Sequence, residues 1–298
     1  MKTRPVYIVA GMRTPFVKSM THYMDISTQE LMTTTLQALV TKLNLSGQII
    51  GDVGLGAVMN SSSNWNLSRE CVLGTTLSPY TPGYTLQRAC GTSLETTSQL
   101  ALKIANYQID NAIAAGVDTN SDSPIMVNKK LQRKLVHLHS TKSFLARLKI
   151  MAQFSLSDLK PEFPAVVEPR THLSMGQHCE KMVQEWQITR EAQDAFSLKS
   201  HQNGAKAYQE GFFDDMIFEY KGLKRDTILR ADTTLEKLSR LKPAFDFTGN
   251  GSLTAGNSSP LTDGAAAVFL ACEDYVKNYS HPPLARFVDA QASAVDFV

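Results

Sequence analysis

Four cysteines in 298 residues, Cys71, Cys90, Cys179 and Cys272, are too few and too widely separated for a disulfide framework or a zinc knuckle. A reducing cytoplasm is the location this implies. No long apolar run is present: the opening MKTRPVYIVAGMRTPF is broken by Gly11 and Arg13, too soon for a signal segment or a membrane span. It reads as a first strand. Charge of one sign is missing as well, with 30 basic and 28 acidic residues and a net charge of +2, so the overall balance gives no reason to expect nucleic acid. What remains is a chain with 43% hydrophobic residues, long enough for one large domain or two modest ones.

The most informative stretch is YTLQRACGTSLETTSQLALKIA, Tyr84 to Ala105, where a short extended run meets a largely apolar helix at Cys90. Leu94, Ala101, Leu102, Ile104 and Ala105 cover so much of the helix circumference that a buried central helix is expected. A cysteine at its amino end faces unpaired N–H groups and the positive pole of the helix, which favour a thiolate and hence a nucleophile. The other reading of Cys90 is an inert core thiol.

Strand signals at 7–10, 53–59, 85–89 and 112–116 alternate with helix signals. Ser27-Thr-Gln-Glu30 forms a capping box, Asn66 starts a short helix, and Thr189 caps a long helix ending near Gly211. Alternation of this kind predicts an α/β fold with a mostly parallel sheet, helices on both faces and chemistry at the carboxyl ends of the strands. Ala265 to Ala271, small and apolar, should be a fully buried strand that rejoins the sheet.

Between Asp122 and Asp158 no acidic residue occurs, while Lys129, Lys130, Arg133, Lys134, Lys142, Arg147 and Lys149 interleave with leucines and phenylalanines. Such a segment suits anionic phosphates, an acidic partner or a membrane surface; a solvated helical face is the alternative. His137 and His139 are one residue apart but lack a third ligand at useful spacing, so no metal is expected. No histidine sits in a motif that marks it as a catalytic base.

Several motifs together make the chain resemble the amino-terminal part of a thiolase of the long-chain, trifunctional-complex β-subunit type. They are IVAGMRTPF, QRACGTS, AAGVDTNSDSP, MGQHCEKMVQEWQITREAQDAFSLKSHQ, KLSRLKPAF and TAGNSSPLTDGAAA. The resemblance implies a thiolase-like layered α-β-α domain with a mostly parallel mixed sheet, a buried central helix and a largely helical insertion. Residues 1–122 would begin the core, 123–248 form the insertion, 249–278 return to the core, and 279–298 start a carboxyl-terminal domain. It further implies that Cys90 accepts the acyl group, with its own backbone N–H as an oxyanion donor. Met175, Phe245, Ala255 and Ser259 would line a coenzyme A pantetheine channel, with Arg225 near the nucleotide end. No cofactor is implied beyond the coenzyme A thioester that is the substrate. The implied reaction is 3-ketoacyl-CoA thiolysis or acetoacetyl-CoA formation; a β-ketoacyl synthase-like enzyme and a non-catalytic acyl-CoA-binding or partner subunit are the alternatives. Implied partners are acyl-CoA, further copies in a homodimer or homotetramer, and a β-oxidation subunit or membrane surface through 129–149.

The chain also departs from the pattern. Ser174 stands where many biosynthetic thiolases carry histidine, with His172 two residues away, which favours the long-chain type. No NEAF-like segment, GHP motif or second glycine-flanked cysteine follows, so the 298 residues alone are expected to be incomplete as a catalyst.

Overall fold

A computed structural model describes residues 3–277 and 282–295. His281 lies outside the described residues. Chain contacts divide the protein into two compact units, one of Met1–Asp122 with Gly176–Val298 and one of Ser123–Met175. The segment 123–248 expected as one insertion is therefore split, and 176–248 clusters with the larger unit.

In the larger unit, β1 (Val6–Arg13), β2 (Val17–Lys18), β3 (Val53–Gly56), β4 (Gly83–Leu86) and β5 (Asn111–Asp118) are interspersed with three helices. These are α1 (Thr28–Lys42), α2 (Leu67–Leu73) and α3 (Thr92–Ala105). In the smaller unit follow β6 (Met126–Val127), α4 (Lys129–Ser140), α5 (Phe144–Met151) and β7 (Pro161–Glu162). Helices α6 (Met175–Glu185), α7 (Arg190–Gln209) and α8 (Leu235–Ser239) precede β8 (Thr262–Cys272), α9 (Glu273–Lys277) and β9 (Ala285–Phe287).

The main sheet runs β4-β3-β5-β8-β1-β9, with β2 also paired to β8. It is mixed, but parallel pairing is confined to β4-β3-β5; β8 runs antiparallel to β5, β1 and β2, and β9 antiparallel to β1. This corrects the mostly parallel sheet expected from the alternation. A run of alanines fits a central strand in either sense, and the direction from which the chain returns after α8 decides between them.

Strand β8 shows why the core has two layers. Ala265, Ala267, Phe269 and Ala271 project into one apolar cluster with Leu31, Met32, Leu36, Leu39 and Val40 of α1. Leu270 and Cys272 project into the other, with Leu100, Ala101 and Ile104 of α3. Leu100 and Ile104 are fully buried, and truncating either to alanine would cost about 2–5 kcal/mol.

Helix α3 is nevertheless buried on one face only: Leu94 and Leu102 are 68% and 54% exposed. Two leucines eight residues apart fall on the open side, so apolar content overstated the burial within this chain. At α1 the cap is half a box. Ser27 Oγ accepts the Glu30 N–H at 3.1 Å, but the Glu30 carboxylate turns to the Tyr220 hydroxyl and Lys221 Nζ, both at 3.3 Å.

The smaller unit is held by Leu131 and Ile150, both buried, and by Lys134 Nζ on Asp158 Oδ2 at 2.5 Å. Lys129, Lys130, Arg133, Lys142, Arg147 and Lys149 are exposed. So are Val136, Phe144 and Leu145, at 63%, 72% and 71%.

A candidate acyl-transfer site at the start of helix α3

Gly56 ends the regular part of β3 and pairs in register with Gly116 of β5. A β-carbon at Gly56 would lie 1.7 Å from Thr92 Cγ2, and one at Gly116 would lie 2.6 Å from Ser93 Cβ. Two glycines side by side thus leave a notch in the sheet, and the first turn of α3 sinks into it. Thr92 is pinned there: its Oγ1 donates to Ala89 O at 2.6 Å and accepts the Arg88 N–H at 2.8 Å.

The chain reaches that turn through a tight bend. Ala89 has φ of 43°, a left-handed conformation that costs a side-chain-bearing residue about 1–2 kcal/mol. Gly91 caps α3, which places Cys90 just outside the helix and exposed. Cys71 and Cys272 are buried and Cys179 is half-buried, so Cys90 is the most accessible of the four free thiols. Burial pushes the Cys71 thiol up to about 11.

Cys90 opens on a small cavity of about 180 Å³ whose walls include Phe16, Thr92, Ser93, Asp118, Gly264 and Ala265. Asp118 is the one carboxyl in this wall. Burial drives it above its ordinary range, against the N–H groups of Met59 and Val58, which it accepts at 3.2 and 2.8 Å.

A larger cavity of about 490 Å³ is lined by Phe245, Ala255, Gly256, Ser258 and Ser259 on one side. Lys18, His201, Arg230 and Lys237 supply its basic groups. Phe245, Ala255 and Ser259 are therefore brought together in one cavity lining. Arg225 is not: it is exposed and stacks on the Tyr208 ring at 5.3 Å, away from this lining. Met175 belongs to the smaller unit, where it opens α6 and is 67% exposed. Sequence reading missed Lys18, His201, Arg230 and Lys237, which come from four separate segments. The cue was available for Arg230, five residues beyond Arg225 in the same loop.

The loop that forms the small-residue wall is firmly held. Glu180, 2% exposed, accepts from Ser252 N, Ser252 Oγ and Leu253 N at 2.6, 2.7 and 3.0 Å.

The two cavities adjoin along the chain. Phe16 lines the thiol cavity and Lys18 the larger one, so two residues, at most about 7 Å of extended chain, separate them. Pro260 and Gly264 make the same link along the start of β8. This side is braced by Arg13, whose Nη1 and Nη2 reach Asp226 Oδ1 and Oδ2 at 2.7 and 2.9 Å, while Asp226 Oδ1 accepts the Phe16 N–H at 2.7 Å. Chemically, the arrangement offers an accessible thiol and, a short stretch of chain away, a second cavity whose lining combines small side chains with cations.

Among the described residues, no group of three His, Cys, Asp or Glu side chains could hold a metal ion. No described helix is long and apolar enough to cross a membrane.

Comparison with known proteins gives a consistent result. The family described as Thiolase, N-terminal domain, matches residues 6–274. A 3-ketoacyl-CoA thiolase of Yersinia pestis (strain Pestoides F) is 38% identical over 297 residues, which is 98% of this chain and 68% of that protein. The crystal structure of the Bacillus anthracis acetyl-CoA acetyltransferase superposes with a TM-score of 0.77 at 29% identity, covering 96% of this chain and 70% of the other. Human mitochondrial 3-ketoacyl-CoA thiolase in complex with CoA gives 0.77 at 27% identity, covering 95% and 68%.

Proposed function

The chain belongs to the thiolase family, whose members are acyl-CoA acyltransferases, and on that premise we propose that Cys90 carries the acyl group in 3-ketoacyl-CoA thiolysis. The observation that carries the reading is the exposed Cys90 thiol opening on a cavity that neighbours, along the chain, a larger one whose lining includes Lys18, Arg230 and Lys237.

In this reading the Cys90 thiolate adds to the 3-keto carbonyl of the 3-ketoacyl-CoA, with the Cys90 backbone N–H as one oxyanion donor. Collapse of the tetrahedral species leaves the shortened acyl group as the Cys90 thioester and breaks the C2–C3 bond, releasing acetyl-CoA as an enolate that takes up a proton. An incoming coenzyme A thiol then takes the acyl group and restores the free cysteine. Phe245, Ala255 and Ser259 flank the pantetheine arm, whose width suits small side chains. Lys18, Arg230 and Lys237 meet the phosphates in place of Arg225. Substrate and acyl carrier are coenzyme A thioesters, and no other cofactor enters the reading.

The test is intact-mass analysis of the purified chain with an acyl-CoA. A single acyl adduct at Cys90 that disappears on addition of free coenzyme A is the expected result. No adduct, or an undiminished adduct in Cys90→Ala, overturns the assignment.

The same proposal includes self-association as a homodimer or homotetramer and a cytoplasmic location, the latter supported by four free thiols. For residues 129–149 it includes a β-oxidation partner subunit or an anionic membrane surface. The support is exposed Lys129, Lys130, Arg133, Arg147 and Lys149 beside exposed Phe144 and Leu145. Co-sedimentation with vesicles containing anionic lipid, lost in the Phe144→Ser/Leu145→Ser variant, checks the membrane arm.

A further inference from the structure

Asp194 lies on α7, is 3% exposed and is itself part of neither cavity lining, yet it joins two segments that line the larger cavity. Its Oδ2 accepts from Arg190 Nε at 2.8 Å. The same guanidinium, through Nη2, donates to Leu238 O at 2.6 Å and Leu241 O at 3.2 Å, and both leucines line the cavity. The other oxygen, Oδ1, accepts from Asn257 Nδ2 at 3.0 Å. Asn257 Oδ1 in turn accepts the Thr254 N–H at 2.7 Å, which closes the turn carrying Ala255 and Gly256.

The walls approach each other at Gly256. A β-carbon there would lie 2.4 Å from Leu241 Cδ1 and 2.7 Å from Leu238 Cδ2. Ser197, also on α7, adds a bond from its Oγ to Gly256 O at 2.8 Å. One buried carboxylate therefore holds a cationic anchor for one wall and an amide anchor for the other. Both its partners are donors, so a carboxylate, with acceptors on both oxygens, satisfies the pair where an amide satisfies only one.

We infer that Asp194 is a positioning residue that sets the width of the acyl-carrier cavity through Arg190 and Asn257. The inference rests on the coenzyme A reading of that cavity. It separates two quantities that a general loss of structure would lower together: occupancy of the cavity and reactivity of the Cys90 thiol. Asp194→Ala loosens both walls, and Asp194→Asn keeps the shape but frees one partner.

The experiment measures Cys90 acylation against acyl-CoA concentration in the 298-residue chain, with iodoacetamide alkylation of Cys90 as a probe that needs no cavity. The expected result is a half-saturating concentration raised at least about tenfold in Asp194→Ala and about threefold in Asp194→Asn. Maximal acylation and alkylation rates stay within about twofold in both. Circular dichroism and thermal unfolding establish that each variant is folded; if Asp194→Ala is not, Asp194→Asn decides. Unchanged half-saturation in a folded variant, or a parallel loss of alkylation, overturns the inference alone. Absence of saturable acylation in the unaltered chain overturns the coenzyme A reading and this inference with it.

Discussion

Gly56→Ala is the sharpest probe of the sheet notch beneath Cys90. The new β-carbon would sit 1.7 Å from Thr92 Cγ2, 3.0 Å from Leu86 O and 3.2 Å from Thr92 Cβ. Thr92 cannot rotate away cheaply, because it is 4% exposed, β-branched and bonded through Oγ1 to Arg88 N and Ala89 O. The strain therefore passes to the first turn of α3 and to the bend that presents Cys90. Overpacking of this kind costs about 1–3 kcal/mol. A displacement of the thiol by about 1 Å would slow acyl transfer by about 100-fold.

The compensating change is Thr92→Ser, which removes the colliding methyl and keeps the oxygen. Alone it should cost about 1 kcal/mol for the lost methyl. Combined with Gly56→Ala it should recover at least half of the lost stability and most of the acylation rate, a coupling of about 1–2 kcal/mol. Rapid quench with intact-mass detection of the Cys90 thioester reads the rate, and urea unfolding reads the stability. Wild-type acylation by Gly56→Ala, or no recovery in the double variant, refutes the idea that the notch seats the nucleophile.

Three other outcomes are expected. Burial would raise the Asp226 carboxyl, but its bonds to Arg13 and to Phe16 N hold it below the usual range, so its pKa is lower folded than unfolded. The linked stability is full above about pH 4 and is lost as pH falls through the folded value. Asp226→Ala should therefore cost about 3 kcal/mol at pH 7, and the gap should narrow below pH 4 in urea titrations; a gap independent of pH contradicts this. In thiol labelling at pH 8, exposed Cys90 should react in the folded chain, while Cys71, pushed up to about 11 by burial, should label only after unfolding, as peptide mapping would show. Arg230→Ala and Lys18→Ala should each weaken coenzyme A binding about tenfold and flatten its salt dependence in calorimetry, whereas Arg225→Ala should change it less than twofold.

Much of the architecture was legible along the chain. The caps at Ser27, Asn66 and Thr189 each accept the N–H three residues on, because a capping bond involves only neighbours. Cys90 at the entry of α3 was legible for the same reason, as were the small residues Ala255 and Ser259 grouped in one turn. That Arg230 rather than Arg225 lines the larger cavity was not legible, because the two differ only in where the loop folds. The exposed face of α3 was misjudged because apolar content does not reveal which face has a partner.

What the sequence determined by itself is local: where helices begin, that β5 and β8 are continuous runs of small and apolar residues, and that a lone cysteine stands at a strand-to-helix bend. Those features depend on dihedral preferences and periodicity over a few residues. The tertiary structure alone decided that β8 enters antiparallel, that Gly56 and Gly116 stand side by side, and that Asp194 joins walls from 238–241 and 254–258. Each of these is a meeting of segments tens to hundreds of residues apart, fixed by packing and hydrogen bonding that no local preference encodes.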